Sequence, residues 1–380
     1  MARGRVLMVS SLWPPTVVGG AELYAASLGG HLREAGHDVA AVTLGIDGDD
    51  VVAAVHAWPV GVQNVRGSAR WRRLLFHARD VWRGDVGDVL ARAVADFRPD
   101  VIHTHAVHGM STAALTAPSR LGVPHVHTLH DFWLRCWRST LTRRDGGSCG
   151  PACRAIASWR SLSTRRGPAV TIAISNAILE QHRALEWSAG ARVLRHPLEQ
   201  APVRRRPLPA SGEAVFGYLG QLNPNKGVRV LLDAHRQTGY RLVIAGKGRL
   251  ESAVRDAESD RLRYVGWVAG PEREQFFDSI DCLVVPSTWC EPAGLVVNEA
   301  AARRIPIVAS DAGGLPDYVP EACRPLLAVP GDDGDLAVRM KTFAEDPASF
   351  QPGAPDPTRS WDAHVADVLG AYAAAGAWAA

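Results

Sequence analysis

The chain has 380 residues, 47% of them apolar and 21% charged, with a net charge of +3. That length is too great for one ordinary core and points to two domains, while the composition is that of a soluble globular protein. No apolar run approaches the roughly 18–20 residues that span a bilayer, which excludes an integral membrane protein of the helical kind.

The first apolar stretch, Val6 to Val9, is too short for a signal peptide and is predicted to be a β-strand. With six cysteines and no export signal, reduced thiols and a cytoplasmic location are expected. Strands are then predicted at Arg5–Ser10, Val39–Leu44, Asp100–Thr104, His125–Leu129 and Ala169–Ile174. Between them lie helical patterns at Gly20–Glu34, Trp71–Trp82, Val89–Phe97, Ser111–Arg120 and Asn176–His182. Short apolar strands alternating with amphipathic helices imply a parallel, doubly wound α/β sheet.

The proline-rich, basic stretch Glu199–Glu213 has no periodicity and is the expected linker. A second α/β series follows, with strands at Ala214–Leu219, Arg241–Ala245, Leu262–Val265, Cys282–Val285 and Ile305–Ala309. This gives a first domain over 1–200, a second over 201–356, and a tail, 357–380, with a helical pattern built on Trp361, Val365, Val368, Leu369 and Tyr372. Residues 1–200 carry 23 Arg, no Lys and 16 acids, a surplus of +7, whereas the rest of the chain stands at −4. A basic first half suits an anionic acceptor or a membrane face.

The most informative segment is Pro286 to Asp317, PSTWCEPAGLVVNEAAARRIPIVASDAGGLPD. It runs from a strand end into Pro292-Ala293-Gly294, a helix start with Glu291 just ahead and Glu299 further in. Free N–H groups of Gly294, Leu295 and Val296 at such a start suit a phosphate. Glu299 can accept the hydroxyls of a ribose, and Glu291 those of a sugar beyond the phosphates. Upstream, Lys226 in Gly220-Gln221-Leu222-Asn223-Pro224-Asn225-Lys226 sits after a strand, at a helix mouth, where a lysine meets phosphate oxygens as a point charge. Taken singly, these are also what solvated surface charges look like.

In its full order of strand, Pro-Ser, Glu-Pro-x-Gly, second Glu and Gly-Gly-x-x-Asp, the segment resembles the retaining glycosyltransferases of family 4, the "glycosyl transferases group 1" set. The resemblance implies a GT-B fold: two Rossmann-like doubly wound domains facing a central cleft, the first binding acceptor, the second the nucleotide sugar, and the tail helix crossing back to the first. It implies that Lys226 and the amides of Gly294, Leu295 and Val296 meet the diphosphate, that Glu299 holds the ribose, and that Glu291 and His130 hold the transferred sugar. It places the base along Tyr264–Val268, with Val268 as contact, and the loop at Gly20 against the donor phosphate. Two departures stand out. Ala293 occupies a position where the family has Phe, and Gln221 one where it has Arg, so a cationic contact is replaced by a neutral donor unless Lys247 or Arg249 substitutes. The reaction expected is transfer of a hexose or modified sugar, with retention, from a nucleoside diphosphate (UDP by expectation) to an acceptor hydroxyl, in natural-product or cell-envelope glycan biosynthesis. No cofactor and no metal are expected to be required, and the acceptor is a glycoside, natural product or lipid-linked sugar. The alternatives are a silent GT-B-like module that only binds a nucleotide sugar, and a GT-B phosphorylase or epimerase.

Other signals are weaker. Gly246-Lys247-Gly248 lacks the third glycine of a dinucleotide fingerprint, there is no P-loop, and no nucleic-acid module frames the basic residues. His103, His105, His108, His125 and His127 cluster at predicted strand ends, where sugar contacts are expected rather than metal ligation. Cys136, Cys149 and Cys153 follow in an insertion, DFWLRCWRSTLTRRDGGSCGPAC; structural zinc is the minority reading against free thiols or one disulfide. The basic, Trp-containing stretch Arg66–Arg83 could rest on a membrane, but the favoured reading is a surface helix burying its apolar stripe against its own sheet.

Overall fold

A computed structural model describes residues 3–16, 19–45, 48, 50–57, 65, 67–142, 149–188, 190–198, 207–209 and 211–378. Most of the expected linker, together with Arg66 and part of the cysteine-bearing insertion, lies outside the described residues. The chain divides into two compact units, 1–194 with 361–380, and 195–360.

The first unit runs β1 (Arg5–Val9), α1 (Gly20–Glu34), β2 (Asp38–Leu44), β3 (Val51–Val55), α2 (Arg70–Val81), α3 (Asp85–Phe97), β4 (Val101–Thr104), α4 (Ala113–Arg120), β5 (His125–Leu129), α5 (Pro151–Ser163), β6 (Val170–Ala173), α6 (Asn176–His182) and β7 (Arg192–Val193). Its strands form one parallel sheet in the order β3-β2-β1-β4-β5-β6-β7, with Leu7 opposite both Ala40 and Ile102. The central strands are buried on both faces, as Val6 and Met8 on one side of β1 and Leu7 and Val9 on the other show, which is why they read as unbroken apolar runs. One end of the core is closed by a helix from the far end of the chain. Val365, Val368, Leu369 and Tyr372 of that helix pack with Val6, Met8, Tyr24 and Leu28.

The second unit runs β8 (Val215–Leu219), α7 (Val228–Thr238), β9 (Arg241–Ala245), α8 (Glu251–Asp256), β10 (Leu262–Gly266), α9 (Pro271–Ser279), β11 (Cys282–Val285), α10 (Leu295–Ala302), β12 (Ile307–Ser310), β13 (Leu327–Ala328) and α11 (Asp333–Glu345). Its parallel sheet has the order β10-β9-β8-β11-β12-β13. Strand order reverses between β8 and β11, so the loops that carry Lys226 and Glu291 leave adjacent strands at the switch point where such sheets bind ligands. The tail helix α12 (Trp361–Ala374) follows and belongs to the first unit.

One expectation is overturned. The apolar stripe of α2 is not buried against its sheet: Trp71, Leu74 and Leu75 are exposed, as is Trp82 just beyond. The inward face is made instead by Phe76 and Asp80, four residues apart on one side of the helix. Asp80 is held there by three donors: Trp133 Nε1 at 2.7 Å, Arg160 at 2.9 Å and the amide of Gly109 at 2.5 Å. Arg160, itself buried, sits over the Trp133 ring with its guanidinium carbon 4.0 Å from the ring centre. Among the described residues no helix is long and apolar enough to cross a membrane.

Candidate active site

In the second unit, the two residues on which the sequence argument turned are in contact. Lys226 Nζ donates to Glu291 Oε1 at 2.7 Å, and Ser287 Oγ donates to the same oxygen at 2.6 Å. Glu291 is buried while Lys226 keeps about a quarter of its side chain exposed, beside the Trp289 ring at 5.2 Å. The loops that bring them together are laced through backbone. The amide of Thr288 donates to Asn225 O at 3.0 Å, and Gly227, at φ +72°, lies so close to Pro286 that a Cβ would stand 1.6 Å from its carbonyl oxygen. Only glycine fits there. Glu291 is fixed from behind by the Gly-Gly pair: the amide of Gly314 donates to its carbonyl at 2.7 Å, and Gly313 has φ +61° with no room for a Cβ against the Glu291 backbone.

Gly294 caps α10, its carbonyl accepting from Asn298 N at 2.9 Å, and no side chain caps the helix. Leu295 and Val296 form its first turn, so their amides carry the partial positive charge that suits an anion. Glu299, further along α10, is ion-paired with Arg273 of α9, and the carbonyl of Glu299 accepts from Arg303 at 2.8 Å. Gln221 is exposed after β8, its Oε1 accepting from Asn223 Nδ2 at 2.9 Å. Lys247 and Arg249 are exposed on a loop hydrogen-bonded to the same segment, Leu222 N donating to Lys247 O at 2.9 Å. Val268 turns its side chain into the core beside β10, which leaves backbone for any ligand contact.

In the first unit, His130 follows β5 and is buried, its Nε2 3.1 Å from His105 Nδ1. Its ring meets Tyr24 edge-on at 5.1 Å, and the Tyr24 hydroxyl is 2.6 Å from His364 Nε2 on α12. Tyr24 lies one turn beyond Gly20, the first residue of α1, so the glycine turn and His130 are served by one helix. The remaining clustered histidines are not sugar contacts, contrary to expectation for His103, His125 and His127. They are fully buried and hydrogen-bonded inside the sheet: His103 bridges Tyr372 (2.9 Å) and Thr128 (2.8 Å), while His125 and His127 share the Thr104 hydroxyl at 2.9 and 2.8 Å. Burial holds all three neutral, with His127 pushed down to about 3. His108 bonds Ser139 at 2.7 Å, in the loop beyond His130.

Ser287, Trp289 and Arg273 were not read from the sequence as parts of the site. Ser287 could have been, since it stands in the Pro-Ser step of the motif; Arg273 gives no local signal, because it meets Glu299 only through the packing of α9 on α10.

Comparison with known proteins agrees with this geometry. Residues 18–193 match Glycosyltransferase Family 4, and residues 200–353 match Glycosyl transferases group 1. The 2-deoxystreptamine glucosyltransferase of Streptomyces kanamyceticus is 30% identical over 310 residues, covering 73% of this chain and 75% of the relative. The chain belongs to the group 1 glycosyltransferases. The glycogen synthase of Mycobacterium tuberculosis is similar over more of the length, 29% identical across 373 residues, 91% of this chain and 87% of that one. Among solved structures, HepE from Anabaena in complex with UDP and glucose superposes with a TM-score of 0.69 at 18% identity, covering 98% of this chain and all of that one. The fold is GT-B, and the activity is that of a glycosyltransferase using a nucleotide-sugar donor.

Proposed function

We propose that this glycosyltransferase moves a hexose from UDP to an acceptor hydroxyl with retention of anomeric configuration, and that the acceptor is a small natural product or lipid-linked glycan handled in the cytoplasm. The observation that carries the reading is the contact between Lys226 and Glu291 beside the uncapped start of α10. A departing diphosphate needs positive charge that is already in place. Lys226 has three N–H donors and spends one on Glu291, so two remain for phosphate oxygens while the ion pair holds the ammonium in position. The amides of Leu295 and Val296 add helix-end charge without reorganisation. Glu291, with one oxygen bonded to Lys226 and Ser287, has the other to accept sugar hydroxyls. Glu299 takes the ribose by exchanging its Arg273 partner for two hydroxyls. The UDP and glucose of the Anabaena neighbour, and the glucosyltransferase name of the Streptomyces relative, support the nucleotide and the sugar class.

The test is a turnover assay with UDP-, GDP- and dTDP-hexoses and a panel of aminocyclitol and lipid-linked acceptors, with product anomers assigned by NMR. UDP-hexose is expected to support transfer with the donor's anomeric configuration kept, and Lys226→Ala to lower it about 10²–10³-fold. An inverted product, or a wild-type chain that binds UDP-hexose and turns over none of it, would sink the reading in favour of an inverting enzyme or a silent binding module.

A further inference from the structure

Three cysteines converge on the first unit at a place the transfer reaction does not use. Cys136 lies in the loop beyond β5; Cys149 and Cys153 straddle the start of α5. Their Sγ atoms all lie within 4.8 Å of one another, with Cys136 and Cys149 at 3.4 Å, and Cys136 and Cys153 are buried. A zinc–sulfur bond of ~2.3 Å puts the sulfurs of a tetrahedral site roughly 3.8 Å apart, inside that spread. A disulfide would draw two sulfurs to ~2.05 Å and strand the third. Thiolates serving an iron–sulfur cluster are distributed over its irons; three sulfurs within so small a sphere suit a single ion.

The backbone around them is tightly turned. The amide of Ser139 donates to the carbonyl of Cys136 at 2.9 Å, and this turn contains two non-glycine residues at positive φ, Ser139 (58°) and Leu141 (59°), a conformation that persists only where the surroundings enforce it. Cys153 sits in the first turn of α5, whose start is preceded by Gly150 and carries Pro151 at the first position, so the helix dipole favours negative charge on it. Among the described residues no fourth His, Cys, Asp or Glu joins the group.

We propose that Cys136, Cys149 and Cys153 bind one zinc ion, with water as fourth ligand, and that the ion ties the loop beyond His130 and Asp131 to the start of α5. Soft thiolates select zinc over the hard cations magnesium and calcium. The site is independent of the donor chemistry, so its test can fail without touching the glycosyl-transfer reading. The full-length chain, purified under thiol reductant and without chelator, is analysed for metals by plasma mass spectrometry beside C136S, C149S and C153S. About one zinc per chain is expected in the wild type, falling at least tenfold in each variant. Should a variant prove insoluble, wild-type chain stripped with a mercurial and titrated with Co²⁺ decides alone: an intense thiolate-to-cobalt charge-transfer band saturating at one equivalent supports the site. Wild type that carries no zinc and takes up no cobalt, that holds iron or copper instead, or that shows a Cys136–Cys149 disulfide after reduced purification overturns it.

Discussion

The two units have the same parallel α/β construction and place their polar groups in opposite ways. The first buries them: apart from His196 and His235, every histidine of the chain lies in it, and His103, His125, His127, His182 and His364 are enclosed. The second fills both faces of its sheet with apolar side chains, Leu231, Ile244 and Met340 on one side and Leu283, Val297 and Ile305 on the other, and puts its charges where strands end. The difference teaches that a polar cluster can belong to the core of one domain and to the chemistry of the next. In the first unit removing a polar group should cost stability, and in the second it should cost turnover.

The largest test of that contrast is acid. Burial lowers the folded pKa of His103 and His125, takes His127 to about 3, and takes His182 and His364 to about 4. Below the unfolded value of roughly 6.5 the unfolded chain binds protons that the folded chain refuses, so this stabilisation is complete above that pH and is lost as pH falls from there towards 4. At about 1.4 kcal/mol per pKa unit for each group, the first unit should lose several kcal/mol between pH 7 and 5. Peptide-resolved hydrogen exchange should show protection in β4, β5 and β6 falling before that in β8, β9 and β11. Equal loss in both units would erase the distinction.

Next in size is the buried pair. Asp80→Ala leaves Arg160 enclosed without its carboxylate and removes the acceptor for Trp133 and Gly109, which should cost about 3–5 kcal/mol. The double variant Asp80→Leu with Arg160→Met should recover much of that loss in chemical denaturation, since it is the unpaired charge, not the missing pair, that is expensive. If the single and double variants melt alike, the pair is not what holds α2 to α5.

Lys226→Ala belongs to the other side of the comparison. It should lower kcat/KM about 10²–10³-fold, in line with the removal of one preorganised donor from a developing anion. Stability should fall by only about 1–2 kcal/mol, because Glu291 keeps Ser287 as a donor. A loss of folding comparable to Asp80→Ala, seen by urea denaturation, would show that Lys226 is a structural ion pair first.

What was legible in the sequence follows the same division. The strands His125–Leu129, Arg241–Ala245 and Cys282–Val285 and the helices Gly20–Glu34 and Asn176–His182 have the bounds expected of them, because each is an apolar or amphipathic run with turn residues on both sides. Missed were β3, a half-exposed Val-Val-Ala-Ala-Val edge strand, the two-residue strands β7 and β13, too short to show a pattern, and α5, hidden behind the cysteine-bearing insertion. Lys226 and Glu291 were singled out because each sits on a recognisable loop or motif, whereas their ion pair with one another left no trace in the sequence. The histidine cluster misled because strand-end position alone does not reveal which way a side chain turns; only the Thr104, Thr128 and Tyr372 hydroxyls, brought in from other strands and from α12, make these rings interior. Asp80 and Arg160, 80 residues apart, leave no local trace of their pairing.

The smallest effect separates two roles for one carboxylate. In the structure Glu299 is ion-paired with Arg273, whose side chain is 40% exposed, so the pair itself is worth at most about 1 kcal/mol of stability. If Glu299 exchanges that partner for ribose hydroxyls, Arg273 competes with the donor for the same oxygen. Arg273→Ala should then lower the KM for the nucleotide sugar about two- to fivefold while leaving kcat within a factor of two, whereas Glu299→Gln, which keeps the shape but weakens the acceptor, should raise it. Steady-state kinetics over donor concentration reads both. A higher KM in Arg273→Ala would mean that the arginine aims the carboxylate at the ribose rather than withholding it, and Glu299 would then resemble the first unit's histidines, a polar group whose packing partner sets its function.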